Sequence, residues 1–285
     1  MSSASTTPAA ASASAVTRGA VPATEPQGRA AGSRWNWLLR WLSPLALLAL
    51  WQVASSTGLL PEQTLAGPGQ ILQTTVDLTR SGQLPEALAV SLQRAFLGLV
   101  LGTVFAVVAG VIAGTTRAGD LALDPPMQMI RTVPLFGLVP LFILWFGIGE
   151  TPKVLLVALG VVVPLYLNLT AALRGVDPEL LDVASTLGLG RAERWRHVVL
   201  PAVLPAALVG FRQSLGIAWL ALIVAEQIAA SEGLGYMINN ARDFLQTDVI
   251  VVGLLAYALL GLLTDALVRV LERRALRYRD EGVIA

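Results

Sequence analysis

The sequence has few side chains of the kinds that carry out catalysis. Lys153 is its only lysine and follows Pro152, so no Gly-Lys-Ser/Thr phosphate-binding loop is present. His197 is its only histidine, which excludes the two-histidine zinc motif of metalloproteases, and there is no Gly-x-Ser-x-Gly nucleophile elbow. The absence of cysteine excludes disulfides, cysteine-ligated metals and cysteine nucleophiles. We therefore expect a chain that is not an enzyme and holds no cofactor.

Polar side chains inside long apolar stretches are the remaining candidates for function: Arg131, Asn168, Arg212 and Glu226. Ionisable groups are costly in a bilayer and mark either function or a structural ion pair. At 1.5 Å per residue, Arg212 lies about 13 Å into its stretch, near the bilayer midplane. It either pairs with Asp265, at a comparable depth, or attracts an anion in a transport path. Asn168 and Glu226 either line such a path or make packing hydrogen bonds.

The composition predicts an all-α membrane protein. Of its 285 residues 55% are hydrophobic and 14% charged, against about 25% charged in soluble chains. The net charge is only +1, and the basic residues do not cluster along the sequence, so no nucleic-acid partner is expected. Six stretches are long enough for helices that cross a bilayer. They lie near residues 38–57, 93–114, 126–146, 153–173, 203–228 and 249–268.

Residues outside the six stretches define the predicted ends and topology. Residues 1–33 are rich in Ala, Ser, Thr, Pro and Gly without an apolar run, which predicts a disordered tail before a membrane domain at 34–285. Fourteen Arg residues fall on the side that both ends share, so both termini are predicted to be cytoplasmic. Residues 58–92 then form an external loop with a short helix over 70–79, and Pro134 and Pro140 should bend the third span.

The second span carries small residues at every fourth position, and they predict close packing against another helix. These residues are Gly98, Gly102, Ala106, Gly110 and Gly114.

Residues 174–201 are too polar to span a membrane and too patterned to be a linker. Asp177 can cap a helix that begins at Pro178, and Gly188 can end it in a left-handed conformation. A second helix is predicted over residues 191–198. Leu180, Leu181, Ala184 and Leu187 are predicted to share one exposed apolar face. Such a face either docks on a protein partner or lies on the bilayer surface.

The spacing within this segment resembles the EAA motif in permease subunits of bacterial ABC importers. Three residues separate Asp182-Val183-Ala184 from Gly188-Leu189, and nine separate Gly188 from the Val198-x-Leu200-Pro201 end. Asp replaces Glu and Val replaces Ala and Ile, which keeps the charge and the apolar character. The resemblance implies a type I importer permease fold whose 174–201 loop couples to a separate ATPase subunit. It also implies ATP and Mg on two copies of that partner, an external binding protein and a permease homodimer in the bacterial inner membrane.

Other segments are similar to the nitrate, sulfonate and taurine permease group. They are residues 145–149, 197–201, 225–230 and 241–248, and the last two are most similar to its aliphatic sulfonate members. An aliphatic sulfonate is therefore the expected cargo, and taurine, nitrate or another small anion is the alternative. Because a sulfonate is always anionic, Arg131 and Arg212 are candidate path residues. A stand-alone secondary transporter and a scaffold without transport are the competing classes.

Overall fold

The computed structural model describes residues 34–61 and 64–276, and this part of the chain contains helices and connecting turns but no strands. The predicted tail at 1–33 lies outside the described residues. Residues from Leu48 onward form one compact unit, and the N-terminal part of α1 belongs to a second. The helices are α1 (Arg34–Ser56), α2 (Pro68–Arg80), α3 (Gln83–Thr115), α4 (Arg117–Thr132), α5 (Val139–Phe146), α6 (Glu150–Arg174), α7 (Pro178–Thr186), α8 (Arg191–Arg194), α9 (Leu200–Ala229), α10 (Leu234–Asp243) and α11 (Thr247–Ala275).

Four helices of the described chain are long and apolar enough to cross a membrane. They are Gln83–Thr115, Glu150–Arg174, Arg191–Ile228 and Thr247–Ala275. These correspond to the second, fourth, fifth and sixth predicted spans. The first predicted span coincides with α1, whose Leu42–Ser56 part is by itself shorter than a full span.

The third predicted span is not a single straight helix. Instead, α4 and the segment Leu135–Phe146, which is a 3₁₀ turn followed by α5, are bent by 95° relative to each other. Between them Val133 is extended, with φ −76° and ψ 129°, because the ring of Pro134 disfavours helical dihedrals in the preceding residue. The predicted bend of this span is confirmed at Pro134, whereas Pro140 lies in the first turn of α5 and does not interrupt it. It brings Arg131 to the end of one helix instead of placing it inside a continuous span.

The predicted start of α3 is wrong. The helix starts at Gln83 instead of residue 93 and includes the last ten residues of the predicted external loop. The short helix expected over 70–79 is confirmed as α2. The segment between α9 and α11, which separates the fifth and sixth predicted spans, contains α10.

Helix α6 is the centre of the bundle and packs between α3 and α9. In the most apolar 18-residue stretch of α6, 56% of the residues are buried, compared with 17% in that of α11. Helix α6 is therefore the core helix and α11 is peripheral. The predicted small-residue face of α3 lies against α6: a Cβ on Gly98 would be 2.5 Å from the Val157 side chain. A Cβ on Gly102 would be 2.5 Å from the carbonyl oxygen of Ala158. The prediction of close helix packing is confirmed.

Candidate coupling segment and transport cavity

Helix α7 has the boundaries that the sequence predicts, and hydrogen bonds satisfy backbone polar groups at both of its ends. The Asp177 carboxylate accepts a hydrogen bond from the Glu179 backbone N–H at 2.9 Å, and Pro178 occupies the first turn. At the other end Gly188 has φ +77°. The Leu189 N–H donates to the Ala184 carbonyl at 3.1 Å, which is the six-residue closure of a Schellman motif.

The apolar residues of α7 are divided between two faces. Ala184 is buried, and Leu181 packs on a core cluster that contains Leu173 and Val199. The side chains of Leu180, Val183 and Leu187 are more than half exposed. The prediction of one apolar face with Leu180, Leu181, Ala184 and Leu187 is therefore wrong. One side anchors α7 to the bundle, while Leu180, Val183 and Leu187, at helical spacing, leave an apolar strip uncovered by the described residues.

The second predicted helix of this segment does not end before the membrane. Residues Arg191–Arg194 continue through a π turn, Trp195–Val199, into α9, which gives one helix from Arg191 to Ile228. The π turn directly precedes Leu200 and Pro201, and proline cannot donate the hydrogen bond that an α-helix needs at that position. At 1.5 Å per residue this helix is roughly 57 Å long. It mechanically joins the segment beside α7 to the far end of the bundle.

A cavity lies between the bent α4–α5 region, α6 and α9. Its volume is about 700 Å³, and Arg131, Asn168 and Gln213 supply its polar lining. The Asn168 amide donates to the Pro164 carbonyl at 2.8 Å and to Gln213 Oε1 at 3.0 Å. Two of the four predicted path residues, Arg131 and Asn168, therefore line one cavity. Arg212 and Glu226 do not line it.

Arg212 forms the ion pair that the sequence suggested as one alternative. Its Nε donates to Asp265 Oδ1 at 2.7 Å. Asp265 has a second partner, because Arg269 Nη2 lies 2.6 Å from the other carboxylate oxygen. All three side chains are partly exposed. The geometry therefore assigns Arg212 a structural contact with α11.

Glu226 lies in a buried polar cluster at the opposite end of the bundle from α7. Its carboxylate accepts hydrogen bonds from Arg94 at 2.7 Å, from Ser91 at 2.8 and 2.9 Å, and from Tyr257 at 2.7 Å. The Gly235 N–H also donates to it at 2.9 Å. Four donor groups compensate for a carboxylate that is 1% exposed. These contacts join α3, α9, α10 and α11.

Arg94 extends the cluster to α6, and sequence reasoning missed its role. Its guanidinium forms an ion pair with Glu150, which also accepts from Lys153 at 2.8 Å. Arg94 Nη1 donates to the Glu232 carbonyl at 2.7 Å. Arg94 and Lys153 are buried cations in otherwise apolar helices, and that was the available signal. Nothing local in the sequence identifies Glu226 as a partner 132 residues away.

Comparison with known families agrees with this architecture. Residues 102–277 match the family model for the binding-protein-dependent transport system inner membrane component. This match covers more than half of the chain and includes the capped α7 segment. The chain belongs to this family of ABC importer permeases.

Relatives with assigned names cover nearly the whole chain. The putative aliphatic sulfonates transport permease protein SsuC of Bacillus subtilis strain 168 is 44% identical over 247 residues, which is 87% of this chain and 90% of that protein. The protein of the same name from Escherichia coli K12 is 45% identical over 85% of this chain and 94% of its own length. The taurine transport system permease protein TauC of E. coli K12 is 33% identical over 87% and 94%.

A solved structure supports the fold. The chain described as "Crystal structure of an amino acid ABC transporter with histidines" matches with a TM-score of 0.55 and 18% identity, over 70% of this permease and 97% of that chain. The predicted all-α type I importer permease fold is thereby confirmed. As an ABC permease, the chain forms the membrane passage, and ATP hydrolysis resides on a separate subunit.

Proposed function

We propose that this permease is the membrane-spanning subunit of an ATP-driven importer of aliphatic sulfonates. Family membership establishes import as an ABC permease. The observation that supports the cargo is the 44% and 45% identity to two permeases named for aliphatic sulfonates, against 33% to the taurine permease. Taurine is itself a small sulfonate, so the nearest alternative cargo differs in substituent and not in charged group.

The coupling element in this proposal is the segment from α7 to Pro201. Its exposed strip of Leu180, Val183 and Leu187 supplies apolar area for a groove on the ATPase subunit. Asp182-Val183-Ala184, Gly188-Leu189 and Val198-x-Leu200-Pro201 have the spacing of the family's loop motif. Because Ala184 and Leu181 anchor α7 to the bundle, movement of a docked ATPase would be transmitted to α9.

The proposed assembly has two copies of the permease, two ATPase subunits that bind ATP and Mg, and an external substrate-binding protein. Residues 34–285 are the membrane domain in the bacterial inner membrane, and both termini lie in the cytoplasm. The distribution of Arg residues along the sequence supports that orientation. The segment with α7 then faces the cytoplasm, where an ATPase operates.

Transport can be tested with the permease, its ATPase and its binding protein reconstituted in liposomes. We expect ATP-dependent accumulation of labelled ethanesulfonate and hexanesulfonate, and little accumulation of nitrate. Efficient competition by taurine at equal concentration would move the assignment toward taurine. Accumulation of nitrate without sulfonate uptake would contradict the proposed cargo.

Coupling can be tested by replacing one apolar residue on the strip. Leu187→Ser should strongly reduce co-purification of the ATPase, because a buried leucine contributes about 1.5–3 kcal/mol at an interface. Ile148→Ser is the matched control, since Ile148 is also highly exposed but lies in the turn before α6, at the opposite end of the bundle. Equal loss of ATPase in both variants would contradict docking at α7.

A further inference from the structure

The 700 Å³ cavity occupies one half of the bundle. On α6 its lining runs from Leu159 to Ala172, toward the helix end that leads into α7. On α9 it includes Ala206, Gln213 and Ile217. The bent connection after α4 closes it on a third side. Its volume lies within the range of about 300–1,000 Å³ that is typical of small-molecule sites.

Arg131 and Gln213 supply the cavity with hydrogen-bond donors for an anion. Arg131 has no carboxylate within 4.0 Å among the residues that the structure describes, whereas Arg94, Lys153 and Arg212 each have at least one. Gln213 Oε1 accepts from Asn168, which leaves the Gln213 NH₂ group without a hydrogen-bond partner in the described chain. A guanidinium and a primary amide together supply several N–H donors to the oxygens of a bound anion.

The rest of the lining is apolar. It includes Leu135, Leu138, Leu159, Val163, Leu167 and Ile217. Gly160 lies in this apolar part, eight residues before Asn168 on α6, which is roughly 12 Å along the helix. A Cβ on Gly160 would be 3.0 Å from Ile217 Cγ2 and 3.3 Å from Leu135 Cδ2, so a larger side chain there would occupy the space beside these two residues.

We propose that this cavity is a binding site for an amphipathic organic anion, with the anionic head at Arg131 and Gln213 and the alkyl chain along the apolar wall toward Gly160. The proposal rests on the proposed import of aliphatic sulfonates and adds a site within the permease itself. It also adds a basis for selectivity. A fully inorganic anion would bury no hydrocarbon against the apolar wall, so the cavity favours alkanesulfonates over nitrate.

Direct binding to the purified permease–ATPase complex, without binding protein, tests the anionic end. Wild type should bind labelled hexanesulfonate saturably. Arg131→Gln should weaken binding at least tenfold, because a hydrogen bond to a charged group is lost, and Arg131→Lys should retain most of the affinity. Arg117→Gln removes a positive charge from the first turn of the same helix, outside the cavity, and should leave the dissociation constant within twofold.

The apolar end is tested by the ratio of the dissociation constants for ethanesulfonate and hexanesulfonate, which does not depend on protein yield. Wild type should bind hexanesulfonate more tightly than ethanesulfonate by about fourfold for each methylene that is buried. Gly160→Leu fills the apolar part of the cavity beside Leu135 and Ile217 and should reduce this preference at least tenfold. Gly261→Leu is the control, since a Cβ on Gly261 meets no atom within 4 Å, and it should leave the ratio unchanged.

The outcomes separate this site from the import function. Saturable binding that is lost in Arg131→Gln, and a chain-length preference that is lost in Gly160→Leu, support the site. Absence of saturable binding in wild type, equal weakening by Arg117→Gln, or an unchanged ratio in Gly160→Leu overturns it. If the Arg131→Gln complex fails to assemble, the Gly160→Leu ratio decides. Sulfonate uptake by the complete importer can persist in each of these cases, whereas its absence refutes the proposed function.

Discussion

Asp265 forms ion pairs with both Arg212 and Arg269, so the loss of Asp265 and the loss of one arginine have different energetic costs. One carboxylate oxygen accepts from Arg212 at 2.7 Å, and the other lies 2.6 Å from Arg269. Removal of Arg212 therefore leaves Asp265 with a cation, whereas removal of Asp265 leaves two cations without their acceptor. An uncompensated charge in a low-dielectric region is more costly than a missing ion pair.

We predict that Asp265→Asn lowers the thermal unfolding midpoint of the solubilised permease more than Arg212→Gln does. The double variant should be no less stable than Asp265→Asn, since the two share one interaction. Thermal unfolding followed by tryptophan fluorescence measures this. Asp243→Asn is the control, because Asp243 pairs only with its exposed neighbour Arg242 in the described structure. A larger loss in Arg212→Gln would show that the shared-acceptor explanation is wrong.

The buried Glu226 carboxylate depends on its neutral donors as well as on Arg94. Tyr257→Phe removes the hydroxyl that donates to Glu226 at 2.7 Å and keeps the ring. We predict a loss of about 1.5–3 kcal/mol in the free energy of unfolding, as for a hydrogen bond to a charged group. Tyr236→Phe, at a partly exposed position on α10, should change it by less than about 0.5 kcal/mol. Chemical denaturation of both variants provides the comparison.

At the scale of elements, the contact between α3 and α6 depends on residues without side chains. A Cβ on Gly102 would be 2.5 Å from the Ala158 carbonyl oxygen, and this backbone atom cannot rotate away as a side chain can. Gly102→Ala should therefore destabilise the permease by about 1–3 kcal/mol despite the higher helix propensity of alanine. Gly261→Ala, with open space at its Cβ, should be neutral or stabilising. Equal unfolding midpoints for the two variants would contradict close packing at Gly102.

The end of α7 requires a left-handed backbone conformation at Gly188 and does not depend on a side-chain contact there. Gly188 has φ +77°, and a Cβ there meets no atom within 4 Å, so the cost of Gly188→Val is backbone strain. We predict a clear loss of ATPase co-purification, since α7 would no longer end with its exposed strip correctly placed. Gly190→Ala is the control, because Gly190 has φ −63° and its added Cβ makes only an ordinary contact. An unaffected complex with Gly188→Val would remove this turn from coupling.

At the scale of the whole molecule, one helix from Arg191 to Ile228 connects α7 with the Glu226 cluster. A single chain with this architecture provides one half of the proposed passage. We predict that native mass spectrometry of the purified complex gives two permease chains with two ATPase subunits. A one-to-one complex that still imports substrate would contradict the proposed assembly. Detergent-exchange controls distinguish dissociation of a dimer from a true monomer.

The sequence by itself determined the local features of this permease. Asp177, Pro178 and Gly188 set the ends of α7, because caps and left-handed turns depend on residues a few positions apart. The spacing from Asp182 to Pro201 identified the family, and the glycines of α3 predicted its tight contact with α6. Most apolar stretches predicted the positions of the helices for the same reason, since hydropathy is read along contiguous residues.

The tertiary structure alone decided which distant residues meet. Arg94 and Glu226 are 132 residues apart, and their pairing depends on the rotation and register of α3 and α9. Those quantities follow from packing across the whole bundle, and many registers satisfy the same hydropathy pattern. For the same reason only the structure divides the apolar residues of α7 between two faces and gives Asp265 two cations. It likewise brings Arg131 to a cavity with Asn168 and Gln213, because the bend at Pro134 places the end of α4 beside α6 and the segment that follows the bend beside α9.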